Sequence, residues 1–252
     1  MKPQIVVPDF GGKHNEDLKE SADRMVISGA YQDLSTVVIC PTRGQIPAKV
    51  VQSWLGLIKP MNQKVVGPIF AIGIEVGEAY NQLIQMILDH PEFSKWKYIL
   101  TIEEDNMMPA DGLLKLYESI EGKIDGNKYD VVGGIYWTKG AGGMPMIYGD
   151  PSVMPKNYTP QIPKPDSIQP ANGLGMGFNL WRLDIFKNPD LPKPWFKTVQ
   201  EIVPGKGPTV MTQDIYFYEN AGKIGYRFAC DTRVRVGHYD YSGSYGPEDT
   251  IW

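Results

Sequence analysis

A chain of 252 residues with 42% hydrophobic content has room for one large α/β domain but not for two full-sized ones. Charged residues make up 21%, mixed in sign, and the formal net charge is −4, which argues against a whole-domain basic face for nucleic acid while leaving a local patch open. Only two cysteines occur, Cys40 and Cys230, each in an apolar strand-like run, so they read as buried free thiols of a reducing compartment rather than as a disulfide scaffold or zinc cluster. The N-terminal Met1-Lys2-Pro3-Gln4-Ile5 has no apolar h-region behind a basic start. No apolar run approaches the roughly 20 residues needed to span a bilayer. The expectation is a cytoplasmic protein with no membrane span, a chain trimmed of an anchor being the other reading.

Residues 1–34 are polar and irregular, with Gly11-Gly12 and a charged stretch from Glu16 to Arg24, and read as an N-terminal arm or short helix laid over the main domain. The pattern changes at Thr36-Val37-Val38-Ile39-Cys40, a β-branched run ended by Pro41, as expected of a strand buried on both faces. Helical spacing follows in Ala48, Val51, Gln52 and Leu55, and then a second apolar stretch from Val65 to Ile72, interrupted by Gly67-Pro68. Val76, Ala79, Tyr80, Leu83, Ile84, Ile87 and Leu88 repeat at the spacing of one apolar helix stripe, with Glu75, Glu78, Gln82 and Gln85 on the other side. After Pro91 comes another buried-strand run, Tyr98 to Ile102. Strand, helix, strand, helix, strand over about 70 residues implies parallel pairing with right-handed crossovers. A helix from Gly112 to Glu121 and a strand at Val131–Ile135 extend the pattern. Residues 139–175 are then dense in glycine and proline, and a loop that long inside a compact domain is functional or disordered.

The run Tyr98–Ile102 leads straight into Glu103-Glu104-Asp105-Asn106. In open α/β sheets ligands bind outside the carboxyl ends of the strands, and three crowded carboxylates repel one another at a cost that a divalent cation relieves. Mg²⁺ and Mn²⁺ take oxygen ligands and commonly bridge carboxylates to substrate phosphates. Continued strand alternation puts Glu103 and Asp105 on one side and Glu104 on the other. The plainer reading is an acidic turn leading to the helix at Asp111.

The segment from Tyr98 through Glu103-Glu104-Asp105-Asn106 to Pro109 resembles the Asp-x-Asp segment of GT-A glycosyltransferases, particularly those of the broad family 2 type. Gly77-Glu78-Ala79-Tyr80-Asn81 is similar to the Ala-Arg-Asn opening of the preceding helix in that group, and Cys40-Pro41-Thr42-Arg43 stands where the family contacts the nucleotide base. The resemblance covers roughly residues 35–240. Two positions depart from it: Glu103 stands where the family has Asp, and Tyr80 where Arg is usual. What it implies is a single GT-A-like α/β domain, a Rossmann-like mixed sheet flanked by helices, with a nucleotide-sugar half at about 35–135 and an acceptor half at about 136–252. It implies a metal-dependent glycosyltransferase using a nucleoside-diphosphate sugar, UDP-linked sugars being commonest in the family. Asp105 and Glu103 are the implied ligands of Mn²⁺ or Mg²⁺, and Pro41, Thr42, Arg43, Asn81 and Glu104 the implied donor-binding residues.

Three further segments bear on that site. Gly173-Leu174-Gly175-Met176-Gly177 places alternate glycines before an aromatic strand, either for close approach to a ligand or for a tight bend. Thr212-Gln213-Asp214 resembles the Glu-Asp or Gln-Asp pair of family 2 enzymes, where the Asp is the general base of an inverting displacement; an alcohol needs such a carboxylate to take its proton. The same residues read as a helix start, Thr212 capping and Asp214 meeting the dipole, which lowers its pKa. His238 lies where several GT-A enzymes recruit a further metal ligand, and Arg233 and Arg235 could neutralise a diphosphate. Tyr136, Trp137 and Trp195 could stack on sugar faces or simply pack. His14 and His90 read as solvated surface residues. The acceptor could be a glycan, lipid carrier, protein, small molecule or modified nucleic acid. The rivals are a nucleotidyltransferase, for which Pro41-Thr42-Arg43-Gly44 is a poor phosphate loop, and a non-catalytic nucleotide- or sugar-binding module.

Overall fold

The computed structural model of the protein describes residues 4–6, 32–140, 142–203 and 207–240. The charged stretch at 16–24 and His14 lie outside the described residues, as do 241–252.

The alternating apolar residues of the central strands build two helix-covered faces on one sheet. In β2 (Thr36–Thr42), β4 (Tyr98–Ile102) and β10 (Phe178–Arg182), Val37, Ile39, Ile99 and Trp181 enter one core and Val38, Cys40, Leu100, Ile102 and Leu180 the other. Period-two alternation requires this division once both faces are covered. The first core receives Tyr80, Leu83, Ile84 and Ile87 of helix Val76–Asp89, with Phe217, Tyr218 and Ala221 of helix Gln213–Lys223. The second receives Leu113, Leu116, Tyr117 and Ile120 of helix Gly112–Ile120. Trp181 is fully buried, ringed by Phe217 at 5.1 Å, Tyr218 at 5.7 Å and Phe186 and Phe196 at 6.0 Å, and its indole N–H donates to Thr101 Oγ1 at 3.0 Å.

Among the described residues the main sheet has eight strands. Its spatial order runs from β1 (Gln4–Val6) through β3 (Val65–Ile72), β2, β4, β10, β6 (Val131–Ile135) and β13 (Phe228–Arg235) to β8 (Ile168–Ala171). Strands β3, β2 and β4 are parallel, as the strand–helix repeat predicts. Strand β10 enters antiparallel between β4 and β6, β13 is parallel to β6, and the edge strands β1 and β8 are antiparallel, so the sheet is mixed. The arm therefore contributes an edge strand through Gln4–Val6. Strand β3 runs through Gly67-Pro68 at the cost of a register shift against β2, with Gly67 at φ 112°. A Cβ on Gly67 would collide with the Val38 carbonyl.

The helical spacing at Ala48, Val51, Gln52 and Leu55 corresponds to the helix Ala48–Leu55, with Leu55 83% exposed. It docks through Val50, through Trp54, whose indole donates to the Asn106 carbonyl at 3.2 Å, and through Ser53, whose Oγ accepts from Met108 N at 3.0 Å. The glycine- and proline-rich stretch is not a bare loop. It contains β8 and the short ladder of β7 (Ile147–Tyr148) with β9 (Gly173–Leu174). Amides satisfy its irregular backbone: Gln161 Nε2 donates to Gly149 O at 2.7 Å and Asn172 Nδ2 to Asn157 O at 3.0 Å. A hairpin of β11 (Val199–Val203) and β12 (Gly207–Met211) precedes helix Gln213–Lys223. Among the described residues no helix is long and apolar enough to cross a membrane, and Cys40 and Cys230 are buried free thiols.

Candidate active site at the carboxyl edge of the sheet

Strand β4 stops at Ile102, and Asn106 N donates to Glu103 O at 3.1 Å. Glu103–Asn106 is therefore a turn, and the strand alternation expected across the three carboxylates does not continue through it. The turn is fastened by a small ladder: β5 (Asn106–Met107) pairs antiparallel with β14 (Gly237–His238), and Tyr239 N donates to Asp105 O at 2.6 Å. This ladder brings His238 to Asp105. His238 Nδ1 donates to the Trp137 carbonyl at 2.7 Å, which fixes the tautomer and leaves Nε2 facing Asp105 Oδ2 at 3.7 Å. That separation is too long for a hydrogen bond and suits two ligands of one cation. Lys139 Nζ lies 2.5 Å from the same Oδ2. Burial works against ionisation of Asp105, but His238 and Lys139 hold its carboxyl below the usual range.

Glu103 sits half-buried beside this pair, accepting a long 3.4 Å hydrogen bond from Tyr80 Oη. Desolvation, then the negative charges of Asp105 and Asp214, push its carboxyl up to about 8. The negative charge of Asp214 raises the pKa of Glu103, Tyr136 and Tyr148. Asp214 itself is 6% exposed in the first turn of helix Gln213–Lys223, and its Oδ1 accepts from Thr212 Oγ1 and from Ile215 N at 2.9 Å. Thr212 occupies the N-cap position, but its hydroxyl bonds Asp214 and makes no side-chain cap. The expected lowering of the Asp214 pKa is corrected. Burial raises it, and the hydrogen bonds to the carboxylate offset only part of the rise.

The remaining predicted residues divide by what holds them. Glu104 is a clamp for the loop after β2: it accepts from Thr42 Oγ1 at 2.6 Å, from Arg43 N at 2.8 Å and from Arg43 Nε. Pro41 and Thr42 end β2 at the carboxyl edge, and the Arg43 side chain is mostly exposed. Asn81 pairs with the backbone of Phe196 twice, donating to its carbonyl at 2.8 Å and accepting from its N–H at 3.1 Å. The Arg233 guanidinium grips Asp231 through Nε at 3.0 Å and Nη2 at 2.8 Å and also reaches Ser119 and Glu118. Arg235 pairs with Asp166 at 3.3 Å. His90 accepts from Glu92 N and Phe93 N and stacks on Phe93 at 4.0 Å.

The alternate glycines serve packing. Gly177 N donates to Tyr136 Oη at 2.9 Å, and a Cβ on Gly175 would strike that hydroxyl, while one on Gly177 would meet Asn106 Oδ1 at 2.5 Å. Tyr136 is buried with its ring edge-on to His238 at 5.4 Å, and Trp195 packs against Phe186.

Asp105 and His238 can hold a divalent cation jointly with substrate oxygens, since a carboxylate oxygen and an imidazole nitrogen meet there. Among the described residues no group of three or more His, Cys, Asp and Glu converges on one point, so the site does not match an all-protein cage. Such partial protein ligation is usual where phosphates complete the coordination of Mg²⁺. Two participants were not legible in the sequence. Lys139 is a lone lysine beside a glycine-rich turn, with no spacing that ties it to Asp105. The Trp137 carbonyl that sets the His238 tautomer carries no side-chain signal at all.

No protein-family model matches the chain, and no curated protein matches it. Among solved structures it is similar to A197 from STIV, with 18% identity and a TM-score of 0.54 over 82% of this chain and 86% of that one. It is also similar to GalNAc-T7, solved with UDP, GalNAc and Mn²⁺, with 11% identity and a TM-score of 0.53 over 93% of this chain. The match spans 54% of the GalNAc-T7 chain. With its mixed sheet, parallel first half and antiparallel central strand, the protein has a fold similar to that of GT-A glycosyltransferases.

Proposed function

We propose that the chain is a glycosyltransferase that binds a nucleoside-diphosphate sugar, UDP-linked, together with Mn²⁺ or Mg²⁺, and moves the sugar to an acceptor hydroxyl with inversion. The observation that carries this reading is the approach of Asp105 Oδ2 and His238 Nε2 to 3.7 Å at the carboxyl edge of a GT-A-like sheet. The ligands named for GalNAc-T7 support the pairing of UDP with Mn²⁺. A divalent cation at this position supplies stabilisation of the negative charge that develops on a departing diphosphate. Asp105 and His238 would hold the cation, the Trp137 carbonyl orients His238, and the two-strand ladder keeps Asp105 in register. Pro41, Thr42 and Arg43, with their loop held by Glu104, face the nucleotide. Asp214 accepts the acceptor's hydroxyl proton as the new C–O bond forms at the anomeric carbon and the bond to the diphosphate oxygen breaks. Burial makes Asp214 a stronger base than a surface aspartate, while Thr212 and Ile215 N–H stabilise its ionised form.

Thermal unfolding with UDP tests the reading. UDP at about 100 times its Kd stabilises a binding-competent fold by about 2.7 kcal/mol, and the account expects that gain only with Mn²⁺ present and not in Asp105→Ala, with Lys187→Ala as the surface control. Equal stabilisation without metal would refute it. Release of UDP from a UDP-sugar, with no pyrophosphate formed from UTP and a sugar phosphate, separates the transferase from a nucleotidyltransferase.

A further inference from the structure

The segment Trp137–Lys139 acts on the cation position twice. The carbonyl of Trp137 aims His238 Nε2 towards Asp105, and two residues later Lys139 sets its ammonium 2.5 Å from Asp105 Oδ2, with 30% of its side chain exposed. Lys139 stands where the chain turns back on itself. Thr138 N donates to Met144 O at 2.9 Å, Met144 N to Thr138 Oγ1 at 2.8 Å, and Trp137 bridges Pro145. Gly140 and Gly142, with φ of 90° and 77°, let the turn close. An ammonium at hydrogen-bond distance from a carboxylate oxygen competes with a dication for that oxygen, because the two cations repel at that range. Lysine is a point charge on a flexible four-carbon stem. Once displaced it remains within reach of the site, and the anion that arrives there is the donor's diphosphate, for which a lysine is a common partner.

We propose that Lys139 is a transferable cation of the donor site: it neutralises Asp105 while no metal is bound, and it pairs with the diphosphate once Asp105 is given over to a divalent cation. This rests on the reading of Asp105 as a cation ligand. The test uses the full chain and two titrations, Mn²⁺ alone followed by electron paramagnetic resonance, and UDP at saturating Mn²⁺ followed by calorimetry. In Lys139→Met the affinity for Mn²⁺ alone should rise about fivefold, because a competitor has gone, while the affinity for UDP should fall about fivefold. Opposite shifts of the two affinities are what a merely structural lysine does not produce, since loss of structure weakens both. Lys139→Gln carries the same test should the methionine variant fold poorly. Mn²⁺ bound equally or more weakly by the variants, or UDP affinity left unchanged, overturns the role of Lys139 alone. Absence of Mn²⁺ binding in wild type and variants, with and without UDP, overturns the underlying cation reading as well.

Discussion

Asp231 and Asp105 each meet a cation, but their surroundings leave them in different conditions. Asp231 is fully buried, and Arg233 N and Nε on Oδ1, with Arg233 Nη2 and Ser119 Oγ on Oδ2, use the roughly four acceptor positions of a carboxylate. Asp105 keeps 16% of its side chain exposed, and its carboxylate receives one hydrogen bond among the described residues, from Lys139, while His238 Nε2 lies at 3.7 Å. A carboxylate with every acceptor position filled by rigid neighbours is committed to the fold. One left partly coordinated, beside an aimed imidazole and a flexible lysine, can still take a ligand. The contrast removes Arg233 from the diphosphate and gives its charge to Asp231.

Substitutions at the two clusters should therefore fail in different ways. The largest effect is expected from Asp105→Ala: Mn²⁺-dependent turnover of a UDP-sugar should fall by about a thousandfold or more, in line with loss of a principal source of charge stabilisation, while the melting temperature holds. Retained turnover would break the comparison. Asp214→Asn should lower transfer by about 10²–10⁴-fold, with UDP affinity in Mn²⁺ unchanged by calorimetry; a parallel loss of UDP binding would move Asp214 out of the base role. Asp231→Ala leaves the Arg233 guanidinium without its main partner and should destabilise the fold by about 3 kcal/mol in urea, with the affinity of the remaining folded protein for UDP intact. A variant as stable as wild type would show that the saturated cluster is not structural.

Glu103 gives the smallest effect and a sign that can be worked out. Its folded-state pKa of about 8 lies above the ordinary glutamate value of 4.5, so the folded state keeps a proton across a window in which the unfolded chain has released it. Metal-free stability should then decline as pH rises from about 5 to 8, and Glu103→Gln should flatten that decline by a few degrees in melting temperature. Parallel pH profiles for the two proteins would contradict the half-buried, charge-crowded setting assigned to Glu103.

Much of the first half of the fold was readable because its signals are local. Strands buried on both faces are continuous apolar runs, and the helix from Val76 to Asp89 shows its buried stripe in the spacing of Ala79, Tyr80, Leu83, Ile84 and Ile87. The short helix at Ala48 shows in its spacing, but eight residues offer too few turns to separate the docked Val50 and Trp54 from the solvent-facing Val51 and Leu55. The second half depends on pairings between distant segments. No local pattern announces that Phe178–Arg182 will enter antiparallel between β4 and β6, or that two residues at 237–238 will pair with two at 106–107. The acidic cluster and Asp214 could be nominated from residue type and position. Whether each carboxylate binds a ligand, clamps a loop as Glu104 does, or has its pKa raised as Asp214 does depends on neighbours that only the folded chain supplies.

The central claim is met most directly by anomalous diffraction from crystals of the protein soaked in Mn²⁺ and UDP. The account predicts one manganese peak between Asp105 Oδ2 and His238 Nε2, next to bound UDP. UDP bound at this edge of the sheet with no manganese between those two side chains would contradict it.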